Sequence, residues 1–504
     1  MGFLKRNTEL KQLSLFRGNN LWLAVVILAF PVLLFAWQRS LHTIFFAITA
    51  DDFHRTLYAW QVAEGKLVPS DLWPPLQFWV EALVLRVYPH ILSVPYLVNL
   101  AASTGALVGL ACLGRELGLG GAGRLLTVAL AATTPWFIWL SLSGLGEPLF
   151  IFCIVLAYLG VVRWRAKDSE LGLWIASLGL LAAGMVRFDG WGHSIAFSLA
   201  VVWLWWRDRR QNSIRSLMAA FLPWLFPISW LVSQYVQHGN PFWFSEVTRE
   251  YWLAVHGALP LGTRLAWQTR DLWVVGGITI PIGLLGIWVA RRRRGVFVLS
   301  LMWLGSFALL MLSTLNHTIT QAEPTRLVVI HALLLTPFVA LLLQKASTQR
   351  KVVAVGIVVL VAALLVARLA ILPTYPKGLP RDAEEVGRYI NQLRAEQQIQ
   401  PGEHIMIEVI FWDYVVLHVL SGDPGAVVYD RAPELVLKAN GEHALDDTAN
   451  PSVLASSADQ LQTQLARQRV RLVIAYSATA ISNLRPIARE SLNAGRFHVF
   501  VLNW

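Results

Sequence analysis

A succession of long apolar runs constrains this sequence more than any other feature. A helix that crosses a bilayer needs ~20 mostly apolar residues, within a range of ~17–25. Runs of that kind lie at 21–38, 91–113, 124–141, 146–162, 171–186, 191–206, 217–236, 273–290, 296–315, 327–343 and 351–371. About eleven such segments have no place in a soluble globule. Composition agrees. Of the 504 residues, 56% are hydrophobic and 14% charged, and the mean hydropathy is +0.52. A water-facing surface calls for roughly 25% charged residues. A cytosolic enzyme, a disordered protein and a coiled coil are excluded. The fold class expected is a polytopic α-helical membrane protein.

The formal charge is +11, and its distribution sets the topology. Basic residues cluster at Lys5, Arg6, Lys11 and Arg17; at Arg115 and Arg124; and at Arg163, Arg165 and Lys167. Further clusters are Arg207, Arg209, Arg210 and Arg215; the four arginines at 291–294; and Lys345, Arg350 and Lys351. One short run at 76–88 contains Glu81 and Arg86 and is too short to cross. With that run lying flat, every strongly basic loop falls on one side. The positive-inside rule makes that side cytoplasmic, with the N-terminus. Such charges determine topology and are not a nucleic-acid face. The opposite side then receives the loops 39–90 and 237–272, the turns near 141–148 and 187–192, the segment 316–326, and the C-terminal portion. The first span is expected to be an uncleaved anchor, because no small-residue cleavage site follows it. Cys112 and Cys153, both in apolar runs, supply neither a disulfide framework nor a thiolate metal site.

Two domains are expected, a membrane domain at 1–372 and an external α/β domain at 373–504. In the second, apolar runs shorten to strand length. Helices are expected at 384–394, 458–468 and 480–493, and strands at 405–411, 426–429, 471–476 and 497–502. That alternation predicts a mostly parallel sheet. No Gly-rich dinucleotide fingerprint accompanies it.

Ionisable residues at membrane boundaries are functional candidates by default. The first long loop opens with Asp51-Asp52-Phe53-His54-Arg55. The pair either supports a helix N-terminus, where carboxylates meet orphan N–H groups and the positive dipole end, or supplies a general base. Glu147, in Gly144-Leu145-Gly146-Glu147-Pro148, can likewise be a dipole partner. Arg187 either pairs with Asp189 or grips a lipid phosphate, since guanidinium matches phosphate in bidentate fashion. A fourth group comprises Asn316, His317, Glu323 and Arg326; Arg326 could also simply anchor its span by snorkelling. No histidine pair has zinc-binding spacing. Asp51 and Glu147 are candidate ligands for Mg²⁺ or Mn²⁺, which carboxylates suit.

Asp51-Asp52 after the first span, followed by Trp73-Pro74-Pro75-Leu76-Gln77-Phe78-Trp79, resembles the first periplasmic loop of the C-type glycosyltransferase (GT-C) superfamily. The branch it resembles contains protein O-mannosyltransferases and lipid A aminoarabinose transferases. His54, Arg55 and Trp73 stand where that branch often has a Tyr after the pair and a Lys before the first Pro. The resemblance implies a multi-pass transferase of a prokaryotic plasma membrane. Its donor would be a sugar on polyprenyl phosphate, its base Asp51, and Asp52 its neighbour. Glu147 would face the catalytic cavity, and Arg326, with His317 close by, would lie near the leaving phosphate. The rivals are a transporter or lipid flippase and a non-catalytic membrane scaffold.

Overall fold

The computed structural model describes residues 20–68, 70–207, 213–316, 325–349, 351–375, 378–409, 413–433, 435–437, 443–445 and 451–502. Each apolar run becomes helical, the conformation in which a lipid-immersed backbone satisfies its own hydrogen bonds. In chain order these are α1 (Asn20–Ser40), the loop helices α2 (Asp51–Ala63) and α3 (Leu76–Val87), α4 (Val94–Glu116), α5 (Gly121–Ala132), α6 (Pro135–Leu142), α7 (Glu147–Lys167), α8 (Glu170–Val186) and α9 (Asp189–Arg207). There follow α10 (Ile214–Phe221), α11 (Leu225–His238), α12 (Trp243–His256), α13 (Leu261–Gly276), α14 (Thr279–Ala290), α15 (Val296–Leu315), α16 (Thr325–Gln349) and α17 (Lys351–Ile371).

Among the described residues, six helices are long and apolar enough to cross a bilayer, or eight if each of two bent pairs is one span. The expectation of eleven equivalent spans is refined accordingly. The run at 124–141 is α5 and α6, bent by 65° where Pro135 opens the second helix, having no N–H to continue the first. The run at 273–290 is likewise broken, α13 and α14 meeting at 82° around Gly277, whose φ of +49° suits glycine. Helix α13 begins at Leu261, inside the segment 237–272 expected to be a loop. Helix α8, with 17 residues, is at the short limit. Of the run 76–88, Leu76–Val87 form a 12-residue helix packed along α2.

Helix α16 is central: 83% of its apolar window is buried within the bundle, against 28% for α1. Helices α7 and α8 touch backbone to backbone. A Cβ on Gly160 would lie 2.6 Å from Ala176 N, and one on Gly172 2.6 Å from Trp164 N. Small residues at such contacts are how helices associate where no water drives them together.

Beyond the bundle lie α18 (Arg381–Ala395), β1 (His404–Ile407), α19 (Asp413–Leu420), β2 (Val427–Tyr429), β3 (Leu435–Leu437), β4 (His443–Leu445), α20 (Ala458–Arg467), β5 (Val470–Ala475), α21 (Ala478–Leu484), β6 (Arg489–Ala494) and β7 (Phe497–Val501). The main sheet runs β2-β1-β5-β7-β6. Strand β1 is parallel to β2 and β5, while β7 is antiparallel to β5 and β6. The sheet is therefore mixed, not mostly parallel. The difference arises at the expected helix 480–493, which ends at Leu484. Pro486 blocks its continuation, and Gly495, with φ +58°, turns β6 back into β7. Part of the expected strand 405–411 lies outside the described residues.

This sheet unit sits on the first loop. Phe45, Phe53 and Leu57 share one core with Val386, Ile390 and Val415. Gly378 N donates to Ala47 O at 3.0 Å, and Arg388 Nη2 donates to His42 O at 2.9 Å.

Candidate active site

Four helices begin at one end of the bundle: α2 at Asp51, α7 at Glu147, α9 at Asp189 and α16 at Thr325. Their N-termini present positive dipole ends, which favour carboxylates or phosphates. The side chains there form one alternating series. Arg326 Nη2 donates to Asp51 Oδ2 at 2.9 Å. Arg326 Nε lies 3.5 Å from Glu147 Oε1, which accepts from Arg187 Nη1 at 2.6 Å. Arg187 Nη2 stands 2.8 Å from Asp189 Oδ2. The Asp51 side chain is 33% exposed, while those of Arg326 and Glu147 are 8% and 4% exposed. The middle of the series is thus enclosed, while its two terminal carboxylates, Asp51 and Asp189, at 33% and 29% exposed, reach solvent.

Asp52 faces the other way. Its Oδ2 accepts from Ile48 N at 3.0 Å and Thr49 N at 2.9 Å, and its Oδ1 from Gly144 N at 2.6 Å. The residue is fully buried. The N-cap of α2 is Ala50, and no side chain caps it. The helix-capping reading of the pair is therefore replaced by a different one: Asp52 ties the segment before α2 to the turn before α7. Gly144 makes the approach possible, since a Cβ there would lie 3.0 Å from Asp52 O.

A buried polar layer supports this turn. Arg55 Nη1 donates to Gln77 Oε1 at 2.8 Å. Gln77 Nε2 donates to Gly144 O at 2.7 Å and to Glu81 Oε1 at 2.8 Å. Asn99 Nδ2 donates to Ser143 O at 2.6 Å and Leu145 O at 2.8 Å. The Arg55 guanidinium stacks 4.9 Å from the Trp73 ring, a cation–π contact. Sequence reasoning did not assign Arg55, Gln77, Glu81 or Asn99 to the site. The available signal was spacing: Asp51 and Arg55 are four apart on one helix, as are Gln77 and Glu81, so each pair shares a face.

The carboxyls are driven apart electrostatically. Burial works against charge on Asp51, but Arg326 and Arg55 outweigh it and hold the carboxyl below its ordinary value. Burial pushes Asp52 up to about 7, against the pull of its three N–H donors. Burial likewise pushes Glu81 up to about 8, despite the Gln77 hydrogen bond. A depressed carboxyl stabilises the fold above its ordinary pKa, and that contribution is lost as pH falls through the folded value. Asp51 is accordingly ionised at neutral pH.

Of the expected site residues, Asp51, Glu147, Arg187 and Arg326 are brought together. Asp52 lies beside them but points into backbone. His317 and Glu323 lie outside the described residues. Asp51 and Glu147, the carboxylates expected as ligands of a divalent cation, both contact the Arg326 guanidinium. Among the described residues no three His, Cys, Asp or Glu side chains are grouped to hold a metal.

No protein-family model matches the sequence, and no curated protein matches it. Solved structures do share its fold. The aminoarabinose transferase ArnT from Cupriavidus metallidurans in the apo state superposes with a TM-score of 0.59, covering 95% of this chain and 97% of its own at 13% identity. ArnT bound to undecaprenyl phosphate gives 0.55 with the same coverage and 14% identity. The oligosaccharyltransferase of Archaeoglobus fulgidus in complex with zinc and sulfate gives 0.49 over 90% of this chain and 67% of its own, at 13% identity. The ArnT likeness extends over nearly the whole of both chains. The chain shares the fold of ArnT.

Proposed function

We propose that this protein is an integral membrane glycosyltransferase that moves a sugar from a polyprenyl-phosphate donor to an acceptor. The observation that carries the reading is the alternating series Asp51–Arg326–Glu147–Arg187–Asp189, enclosed at Arg326 and Glu147 and reaching solvent at Asp51. A related fold with a bound undecaprenyl phosphate supports the choice of donor. In this reading the acceptor's O–H or N–H gives its proton to Asp51 as its heteroatom bonds to the anomeric carbon. The bond from that carbon to the phosphate oxygen breaks, and prenyl phosphate leaves with the electron pair, inverting the centre. Arg326 and Arg187 stabilise the departing charge.

Arg326 has a double role. It holds Asp51 while the site is empty and turns to the phosphate when donor binds. The exchange removes the larger of the two cationic influences that depress the Asp51 carboxyl, leaving Arg55, so donor binding itself strengthens the base. Asp52 is a positioning residue, not the catalytic group its place beside Asp51 first implied. Residues 373–504 form an external unit seated on the catalytic loop, where they select the acceptor.

The test of function is the full-length protein in nanodiscs, supplied with a synthetic polyprenyl-phosphate sugar and a panel of acceptors. Direct transfer with release of prenyl phosphate is the expected result. The broken helices α5–α6 and α13–α14 are the feature a transporter or flippase would use. Movement of the intact donor across the bilayer with no transfer would establish that rival instead.

The topology is tested separately. With Cys112 and Cys153 replaced, Arg292→Cys should label from the cytoplasm and Gln462→Cys from outside, as the segregation of the basic loops with a cytoplasmic N-terminus requires. External labelling at position 292 would place Asp51 on the wrong side for this donor.

A further inference from the structure

Helices α7 and α9 both start in the active site, at Glu147 and Asp189, and both run away from it. Their last turns carry Arg165 and Arg207. Eighteen residues at ~1.5 Å each advance a helix by ~27 Å, close to the ~30 Å of a bilayer's hydrocarbon core. Arg165 and Arg207 therefore emerge at the interface opposite the site.

The turn between α14 and α15 folds against the same place. Gly295, with φ +91°, ends that turn; a Cβ on it would lie 3.3 Å from Val162 Cα and 3.3 Å from Arg165 Cβ. Arg293 Nη1 donates to Leu117 O at the end of α4, which anchors the turn. The result is a cavity of about 470 Å³ lined by Arg165, Arg207, Arg293 and Arg294 together with Trp203 and Phe297. Among the described residues, no acidic side chain lines it. Topology requires only that basic residues be present on this side; it does not require four guanidinium groups around one cavity.

We infer that this cleft binds the headgroup of an anionic phospholipid. Its chemistry is that of a phosphodiester site: four guanidinium groups around one cavity. Its walls identify a lipid as the source. Trp203 and Phe297, whose rings lie 5.8 Å apart, are exposed. Leu199, one turn before Trp203 on α9, and Leu304, two turns beyond Phe297 on α15, are exposed as well. Helices α9 and α15 pack along each other, so these residues extend the basic cleft along a lipid-facing seam on which acyl chains lie. Arg207, held 5.0 Å above the Trp203 ring, joins the two parts. Basic pockets between spanning helices are established sites for anionic lipid headgroups.

The test is native mass spectrometry of the purified full-length protein titrated with phosphatidylglycerol, with phosphatidylcholine and with inorganic phosphate. Arg207 and Arg294 are exposed, so changing them leaves the packed bundle intact. The double variant Arg207→Ala/Arg294→Ala should weaken phosphatidylglycerol binding by roughly ten- to thirty-fold, about the effect of two interfacial charges. Phosphatidylcholine binding should not change. Arg207→Lys/Arg294→Lys should restore most of the loss, and Arg485→Ala in the sheet unit should have no effect. Unchanged phosphatidylglycerol binding in the double alanine variant would overturn the assignment. So would displacement of the lipid by an equal concentration of inorganic phosphate, which would make this a soluble-anion site.

Discussion

Asp51→Asn should lower the single-turnover rate of sugar transfer by ~10²–10⁴-fold, the usual contribution of a general base. Donor binding should change little, because the amide keeps the size of the carboxyl and the phosphate is held by arginines. Asp52→Asn should behave differently. It leaves the base in place but turns an amide N–H₂ or a lost acceptor toward backbone donors at Ile48, Thr49 and Gly144. An unsatisfied buried donor costs ~1–3 kcal/mol, so the change should appear in thermal stability more than in rate. The pH profile separates base from scaffold. Arg326 and Arg55 hold the Asp51 carboxyl below its ordinary value, so the acid limb of kcat/KM, which reports the free enzyme, should lie below pH ~3.9. In kcat the limb should move up, because Arg326 has then turned to the phosphate. Wild-type transfer by Asp51→Asn would refute the assignment of the base. Coincident limbs in kcat and kcat/KM would refute the exchange of Arg326.

Glu147→Ala should be the most destabilising single substitution in the site. Its Oε1 lies 2.6 Å from Arg187 and 3.5 Å from Arg326, and the Glu147 side chain is only 4% exposed. Removing one member of a buried ion pair strands the others, at ~3–5 kcal/mol. The variant in detergent should therefore unfold well below the wild-type temperature. Glu147→Gln, which keeps a hydrogen-bond acceptor, should lose less. A wild-type Tm for Glu147→Ala would mean that solvent or lipid already screens the two arginines, and that the series is not the closed structure argued above.

Much of this was legible in the sequence for definite reasons. Long apolar runs admit one solution in a bilayer, so most of the helices could be placed within a few residues, the exception being α13, which begins twelve residues before its run. A carboxylate pair directly after a span is costly unless used, which drew attention to Asp51. Arg187, Glu147 and Arg326 were legible one by one as charges at span ends. Their pairing was not, because they are separated by up to 179 positions in the chain and meet only through packing. The role of Asp52 was hidden for the same reason: its partner Gly144 is a backbone group 92 residues away, and backbone groups leave no mark in composition. Pro486 was a visible signal, and the helix expected at 480–493 passed over it. The helix α19 was missed because Tyr-Val-Val-Leu-His-Val-Leu favours a strand by local preference, and its packing on α18 overrides that preference.

The glycine contact between α7 and α8 also bears on how the protein is made. Glu147 begins α7 and Arg187 follows the end of α8, so the two helices form a hairpin whose open ends carry opposite charges, joined at 2.6 Å. A chain entering the membrane must carry these groups through or beside hydrocarbon before the rest of the bundle exists to receive them. Gly160 and Gly172 let the two helices close on one another without any other partner. The hairpin can thus insert as a unit with its charges already neutralised. Widening it with a side chain at Gly172 would impair biogenesis as well as the finished site.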